Sequence, residues 1–180
     1  FMFKYVSDVS LLSHNIIKEY ITTKDIAVDA TLGNGYDCDF LSNNFKKVYA
    51  FEIQKEACEK YIDKNNNVII INESHHKIDE FVKEEINCIC YNLGYLPGGN
   101  KEVTTLAETS LKSIQLSLDL LCQNGIMAIA IYRGHNEGKE EESCILQYLR
   151  GLPKNKFGVM LHECINRSNT SPLLVIVEKK

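Results

Sequence analysis

The sequence predicts an α/β protein with a seven-stranded, mostly parallel sheet, helices on both faces and an antiparallel strand at its C-terminal end. Three observations predict it. Short apolar runs alternate with helix-spaced segments as far as residue 149, the alternation that builds parallel sheets. The last two apolar runs, 157–164 and 173–178, are joined only by the polar loop Asn166–Pro172. That loop is too short for a helical crossover, so these two strands pair antiparallel. The first strand ends in the glycine turn Gly33-Asn34-Gly35, and a strand, a glycine turn and a helix start are the parts of a nucleotide-binding crevice.

Residues 8–21 form the first helix, with Val9, Leu12, Ile16, Ile17 and Tyr20 at steps of three and four. Ile26–Ala30 is the first strand, and 37–44 the helix after the turn. Val48–Ile53 is the second strand, with Glu52 at its end, and 54–64 is helical through Ala57, Cys58, Tyr61 and Ile62. Val68–Ile71, a short helix over 76–83 and Ile86–Tyr91 follow. A long helix then carries Val103, Ala107, Leu111, Ile114, Leu118 and Leu121 to a stop at Asn124-Gly125. Ile126–Tyr132 is the fifth strand, and 138–149 a helix with Glu140, Glu141 and Glu142 near its start, where the helix dipole favours acids. No linker or repeat breaks the chain, so residues 1–180 read as one domain.

The chain is 44% hydrophobic and 24% charged, as in ordinary globular proteins. No window holds 18 consecutive apolar residues and the N-terminus has no apolar run of signal-peptide length, so no membrane association is expected. The seven cysteines include no Cys-x-x-Cys pair, which points to buried, reduced thiols in a cytoplasmic protein. Cys88 and Cys90 belong on one face of a strand. The net charge of −4 excludes a coat of basic charge but leaves room for a local basic patch. Lys46-Lys47 and Lys179-Lys180 read as solvated surface.

The turn lacks the third glycine of dinucleotide enzymes and carries Asp29 and Asp37 beside the ligand position. Two carboxylates there repel a pyrophosphate and suit a cationic ligand, such as the ammonium and sulfonium of S-adenosylmethionine. Thr31, Gly33, Asn34 and Gly35 pass close to that ligand. Glu52 stands 17 residues after Gly35, the place of an acid that accepts from ribose hydroxyls. Gln54 then lies near the adenine, and Ile53, between it and Glu52, is a further cofactor-binding candidate. Ser74 and His75, in the loop after the third strand, line the same crevice; a merely solvated His is the alternative.

Asn92-Leu-Gly-Tyr95 follows the fourth strand. An Asn carbonyl accepts from an amine and an aromatic ring stacks on a base, so Asn92 and Tyr95 suit a nitrogen nucleophile; the alternative is a plain loop. Tyr132-Arg-Gly-His135 follows the fifth strand. His135 is a candidate base, with a structural loop His as the alternative. Lys101, Arg133, Lys139 and Arg167 are candidates for RNA phosphates. No metal is needed.

These motifs together resemble a known family. Asp29-Ala-Thr-Leu-Gly-Asn-Gly35, Asn92-Leu-Gly-Tyr-Leu-Pro-Gly-Gly99-x-Lys101, Tyr132-x-Gly-His135 and Pro172 are similar to motifs of the bacterial YtqB-like rRNA methylase family. The resemblance runs from about residue 10 to the C-terminus. It departs at Tyr36, Cys38, Asn100 and Glu137. It implies a Rossmann-like class I methyltransferase fold and S-adenosylmethionine as cofactor. It further implies N-methylation of 5-aminomethyl-2-thiouridine at the wobble position, with the tRNA anticodon stem-loop as partner, and a homodimer. Ribosomal RNA or a small amine as acceptor is a rival reading. A nucleotide-binding module or oxidoreductase without methyl transfer is another.

Overall fold

The computed structural model describes residues 3–94, 106–133 and 136–180, the last segment without the side chains of 136–138. Helix α1 (Val9–Tyr20) starts where the Asp8 carboxylate accepts from the Leu11 N–H at 2.9 Å, satisfying one of the free donors of a helix start. Strand β1 (Ile26–Asp29), α2 (Tyr36–Asn44), β2 (Lys47–Phe51), α3 (Lys55–Tyr61) and β3 (Val68–Ile71) follow. A short 3₁₀ turn (His75–Lys77) runs into α4 (Ile78–Phe81), then β4 (Ile86–Leu93), α5 (Ala107–Leu120), β5 (Leu121–Ile131), α6 (Asn136–Arg150), β6 (Phe157–His162) and β7 (Leu173–Lys179).

The seven strands lie in the order β3-β2-β1-β4-β5-β7-β6. β1 pairs parallel with both β2 and β4, so the sheet reverses its winding between β1 and β4. β7 slots antiparallel beside β5, and β6 pairs antiparallel on its far side. The alternating side chains of β4 divide the core. Ile89, Tyr91 and Leu93 face one layer with Ile114, Leu118 and Ile145. Cys88 and Cys90 face the other with Ile17, Leu41 and Phe45. The described cysteines are all free, and Cys38, Cys58, Cys88 and Cys90 are buried.

Several elements differ from the sequence expectation. α3 stops at Tyr61 rather than 64, and Asp63 takes a left-handed φ of 62°, which ends a helix. β4 continues to Leu93, so Asn92 is the penultimate residue of a strand rather than part of a loop. α5 ends at Leu120, before Asn124-Gly125, and the chain is already paired with β4 at Leu121. The asparagine, at φ 61°, turns the chain inside β5 instead. Tyr20 is exposed, while Ser13 and His14 are buried beside Ile17. In α5 the serines Ser110, Ser113 and Ser117 are buried. The Tyr91 hydroxyl bonds Ser113 Oγ at 2.8 Å and Ser117 Oγ at 2.7 Å, so a buried polar group is satisfied that would otherwise cost about 1–3 kcal/mol. Two lysines are not simple solvated surface. Lys47 Nζ donates to Glu84, and Lys179 Nζ donates to the carbonyls of Leu118 and Leu121, neutralising the negative end of α5.

Candidate active site

Parallel strands leave a ligand crevice outside their carboxyl ends at the point where winding reverses. Here that point lies between β1 and β4, and a crevice of about 490 Å³ opens there, within the usual range for a small-molecule site. Its walls come from the turn after β1, the ends of β2 and β4, and the loop after β3.

The turn is held from below. The Leu32 N–H donates to the Phe51 carbonyl and the Gly35 N–H to the Leu32 carbonyl. Gly33 and Gly35 sit at φ 50° and 80°, backbone that an L side chain rarely adopts. Glu52, just past β2, ties the turn to the next element. Its Oε2 accepts from the Gly33 N–H and its Oε1 from the Gln54 N–H, both at 2.9 Å. Thr31 Oγ1 accepts from the Asn92 N–H at 2.7 Å and joins the turn to β4.

Asp29 lies beneath the turn rather than on the crevice wall. Its Oδ1 accepts from the Thr31 N–H at 3.1 Å, and its buried Oδ2 has no hydrogen-bond partner. Burial, with the nearby Asp37 and Glu52 carboxylates, pushes its pKa well above the ordinary value. Asp37, in the first turn of α2, does face the crevice. It accepts from His14 Nε2 through Oδ1 and from Asn92 Nδ2 through Oδ2, each at 2.6 Å.

Asn34 and Ile53 stand on the rim, Ile53 57% exposed beside Gln54. Ser74 and His75 both line the crevice. Ser74 Oγ is already bonded to His76 Nδ1 at 2.7 Å. His75 is buried edge-on against Tyr91, and its Nδ1 has no partner. Burial lowers its pKa to about 4, so it is neutral near pH 7. Its backbone carbonyl accepts from Ser113 Oγ at 2.9 Å, anchoring the loop to α5.

The structure thus brings Thr31, Gly33, Asn34, Asp37, Glu52, Ile53, Gln54, Ser74, His75 and Asn92 onto one crevice. Gly35 belongs to the same turn but is buried under it. Tyr95, Lys101 and His135 lie outside the described residues. Of the basic candidates, Lys139 and Arg167 are exposed. Arg133 is engaged instead: it pairs with both oxygens of Glu142 at 2.8 and 2.9 Å and with Glu163 at 3.0 Å. A guanidinium clamped by two carboxylates is poorly placed to bind phosphate. Sequence reasoning missed His14. Its only sign was an imidazole at helical spacing among apolar residues, 23 positions before Asp37.

Among the described lining residues the charged groups are Asp37, Glu52 and Glu73, with no Lys or Arg. That wall disfavours a pyrophosphate and suits a cationic ligand.

A parallel sheet reversing between β1 and β4, with β7 inserted antiparallel beside β5, is the class I methyltransferase arrangement, and the chain is a methyltransferase of that class. The family model for "putative rRNA methylase" matches residues 48–178, and the chain belongs to that family. A putative rRNA methylase from Clostridium thermocellum is 33% identical, with a TM-score of 0.91 over 97% of this chain and 99% of that one. A putative methyltransferase from Streptococcus mutans, solved in complex with SAH, is 37% identical, with a TM-score of 0.88 over 97% and 99%. A chloroplastic tRNA (mnm(5)s(2)U34)-methyltransferase from Arabidopsis thaliana is 29% identical over 94% of this chain and 68% of its own length.

Proposed function

We propose that the chain, as one domain over residues 1–180, uses S-adenosylmethionine to N-methylate the primary amine of wobble 5-aminomethyl-2-thiouridine in tRNA, giving 5-methylaminomethyl-2-thiouridine. The reading is supported by the similarity to the plant tRNA methyltransferase. The observation that carries it is the Asn92 amide, whose Nδ2 is committed to Asp37, leaving Oδ1 as the acceptor offered to an amine.

The crevice fits this cofactor. Its acidic wall suits the ammonium and sulfonium, and the partnerless His75 Nδ1 is a buried polar atom on the crevice awaiting a partner. S-adenosylmethionine, when bound, supplies a methyl group on a sulfur that is already a good leaving group. Asp37 balances the ammonium, with Asp29 supporting the turn from beneath. Glu52 receives the ribose hydroxyls beside its two backbone donors. Ile53 covers the adenine, and neutral His75 offers its ring nitrogen to a polar edge. Asn92 Oδ1 accepts from the acceptor amine and aims its lone pair, so catalysis comes mainly from proximity and orientation. Tyr95 stacks on the acceptor base and His135 takes the proton in this reading. Lys101, Lys139 and Arg167 meet the phosphates of the anticodon stem-loop, and the enzyme works in the cytoplasm as a homodimer. No helix among the described residues is long and apolar enough to cross a membrane.

Nucleoside mass spectrometry tests the proposal. Protein, S-adenosylmethionine and bulk tRNA from cells lacking this activity are incubated and the tRNA is digested. One added methyl on 5-aminomethyl-2-thiouridine is the expected result. No gain, with cofactor binding confirmed in parallel, rejects this acceptor in favour of ribosomal RNA or a small amine.

A further inference from the structure

We infer that His14 is a positioning residue for methyl transfer, acting through Asp37 to set the Asn92 amide. The inference rests on the reading of Asn92 as the group that receives the acceptor amine.

Three side chains from three elements form one line. His14 of α1, Asp37 of α2 and Asn92 of β4 are joined by two contacts of 2.6 Å each. An ionised carboxylate only accepts. Both contacts are therefore donations to Asp37, from the Nε2–H of His14 and the Nδ2–H of Asn92. The second contact decides which way the amide faces. Turning it over would set the Asn92 carbonyl oxygen against a carboxylate oxygen. Oδ1 is thereby held as the acceptor, and the Asn92 backbone is fixed separately by its N–H bond to Thr31 Oγ1.

His14 fixes the carboxylate in turn. Its ring is stacked on Phe40, with centroids 3.9 Å apart and planes within 5°, and lies under Tyr36 at 5.6 Å. His14 and Asp37 are 7% and 6% exposed, so little water reaches their contact. With one oxygen anchored by a stacked imidazole, the carboxylate cannot rotate, and the Asn92 amide inherits a fixed plane. Removing His14 leaves Asp37 free to turn, and Asn92 with it. Misplacing a reacting group by about 1 Å can cost on the order of 100-fold in rate.

The test compares His14→Phe with His14→Gln. Phe keeps a ring for the Phe40 stack but has no donor. Gln places an amide N–H near the position of Nε2. The expected kcat falls roughly 10- to 100-fold in His14→Phe and recovers most of the way in His14→Gln. KM for the tRNA stays within about threefold in both, on the same argument. A second readout needs no acceptor: the side-chain amide resonances of Asn92 in ¹⁵N-labelled protein. One Nδ2 proton is downfield and slow to exchange in wild type and His14→Gln, and ordinary in His14→Phe. If wild type methylates no tRNA, the proposed acceptor fails while the resonances still decide the role of His14. If His14→Phe does not fold, His14→Asn, whose amide falls short of Asp37, replaces it. Unchanged Asn92 resonances in the donor-less variant, or a kcat equal to wild type, overturns the inference.

Discussion

Gly35 lies directly against the ring of Tyr61. A Cβ at this glycine would fall 2.3 Å from Tyr61 Cε2 and 2.4 Å from Cδ2, at a backbone φ of +80°. The ring has little room to yield, because its hydroxyl donates to Asp39 Oδ1 at 2.6 Å. Gly35→Ala therefore combines left-handed strain with overpacking and should cost about 2–4 kcal/mol in urea unfolding. Tyr61→Leu in the alanine background should return the steric part and leave the strain. No recovery in the double variant would mean that backbone conformation alone demands the glycine.

Asn92→Ala should lower turnover about 100-fold while leaving S-adenosylhomocysteine affinity within about threefold. Calorimetry and single-turnover rates separate the two. A variant that loses cofactor binding as much as rate would make Asn92 part of the cofactor wall instead.

Asp29 holds its proton well above the ordinary carboxyl range because it is buried near two other carboxylates. The folded state thus binds more protons at Asp29 than the unfolded chain does. Its contribution to stability is complete below the unfolded pKa and is lost as pH rises toward the folded one. Asp29→Asn keeps an acceptor for the Thr31 N–H and removes that loss. It should be more stable than wild type near pH 7, with the advantage vanishing below about pH 4, and it should bind S-adenosylmethionine more weakly. Thermal unfolding across pH, with and without cofactor, reads both effects.

His75 shifts the other way, from 6.5 down to about 4. Between those values the unfolded chain is protonated and the folded one is not, so stability falls as pH drops through this window. The shift corresponds to a loss of about 3 kcal/mol by pH 4. His75→Phe should flatten that part of the curve. An unchanged acid limb would show that His75 is free to charge in the folded protein.

Arg133→Ala should lower the unfolding midpoint by several degrees, since it strands the partly buried Glu142 of α6. It should leave the salt dependence of RNA binding unchanged, because a guanidinium already neutralised by Glu142 and Glu163 releases no counterions. Lys139→Ala and Arg167→Ala should each make that dependence shallower by about one ion. A shallower slope for Arg133→Ala alone would place the RNA on the Glu142 side of the site.

Periodicity made the sheet and its antiparallel edge legible, because apolar runs alternated with helical ones until the short 166–172 loop. Boundaries were less so. Leu121 joins a strand because β4 offers it a partner at Ile86, which no local signal announces. Tyr20 has helical spacing yet faces outward, while three serines of α5 are buried because their hydroxyls find buried partners, Ser113 and Ser117 at Tyr91 and Ser110 at Glu141. At the site, the turn carboxylates and Asn92 could be read from residue type and order. Their division of labour could not. Asp29 is beneath the wall and Asp37 on it, because the first ends β1 under the glycine turn and the second opens α2 beyond it. His14 was invisible because its partner is 23 residues away, and Arg133 looked like an RNA contact because its carboxylates come from α6 and the loop after β6.

Among the described lining residues of the crevice, the turn, Glu52 and His75 come from residues 30–76, whereas Ser10, Asn92, Gly94, Leu106, Thr109 and Tyr132 come from outside that segment. In the proposed reading, one sequence segment therefore holds the donor while the acceptor is received by a later one. Descendants of such a chain could then exchange one nucleophile for another chiefly through the later segment, with Thr31 and Asp37 as the two points where the halves must stay in agreement.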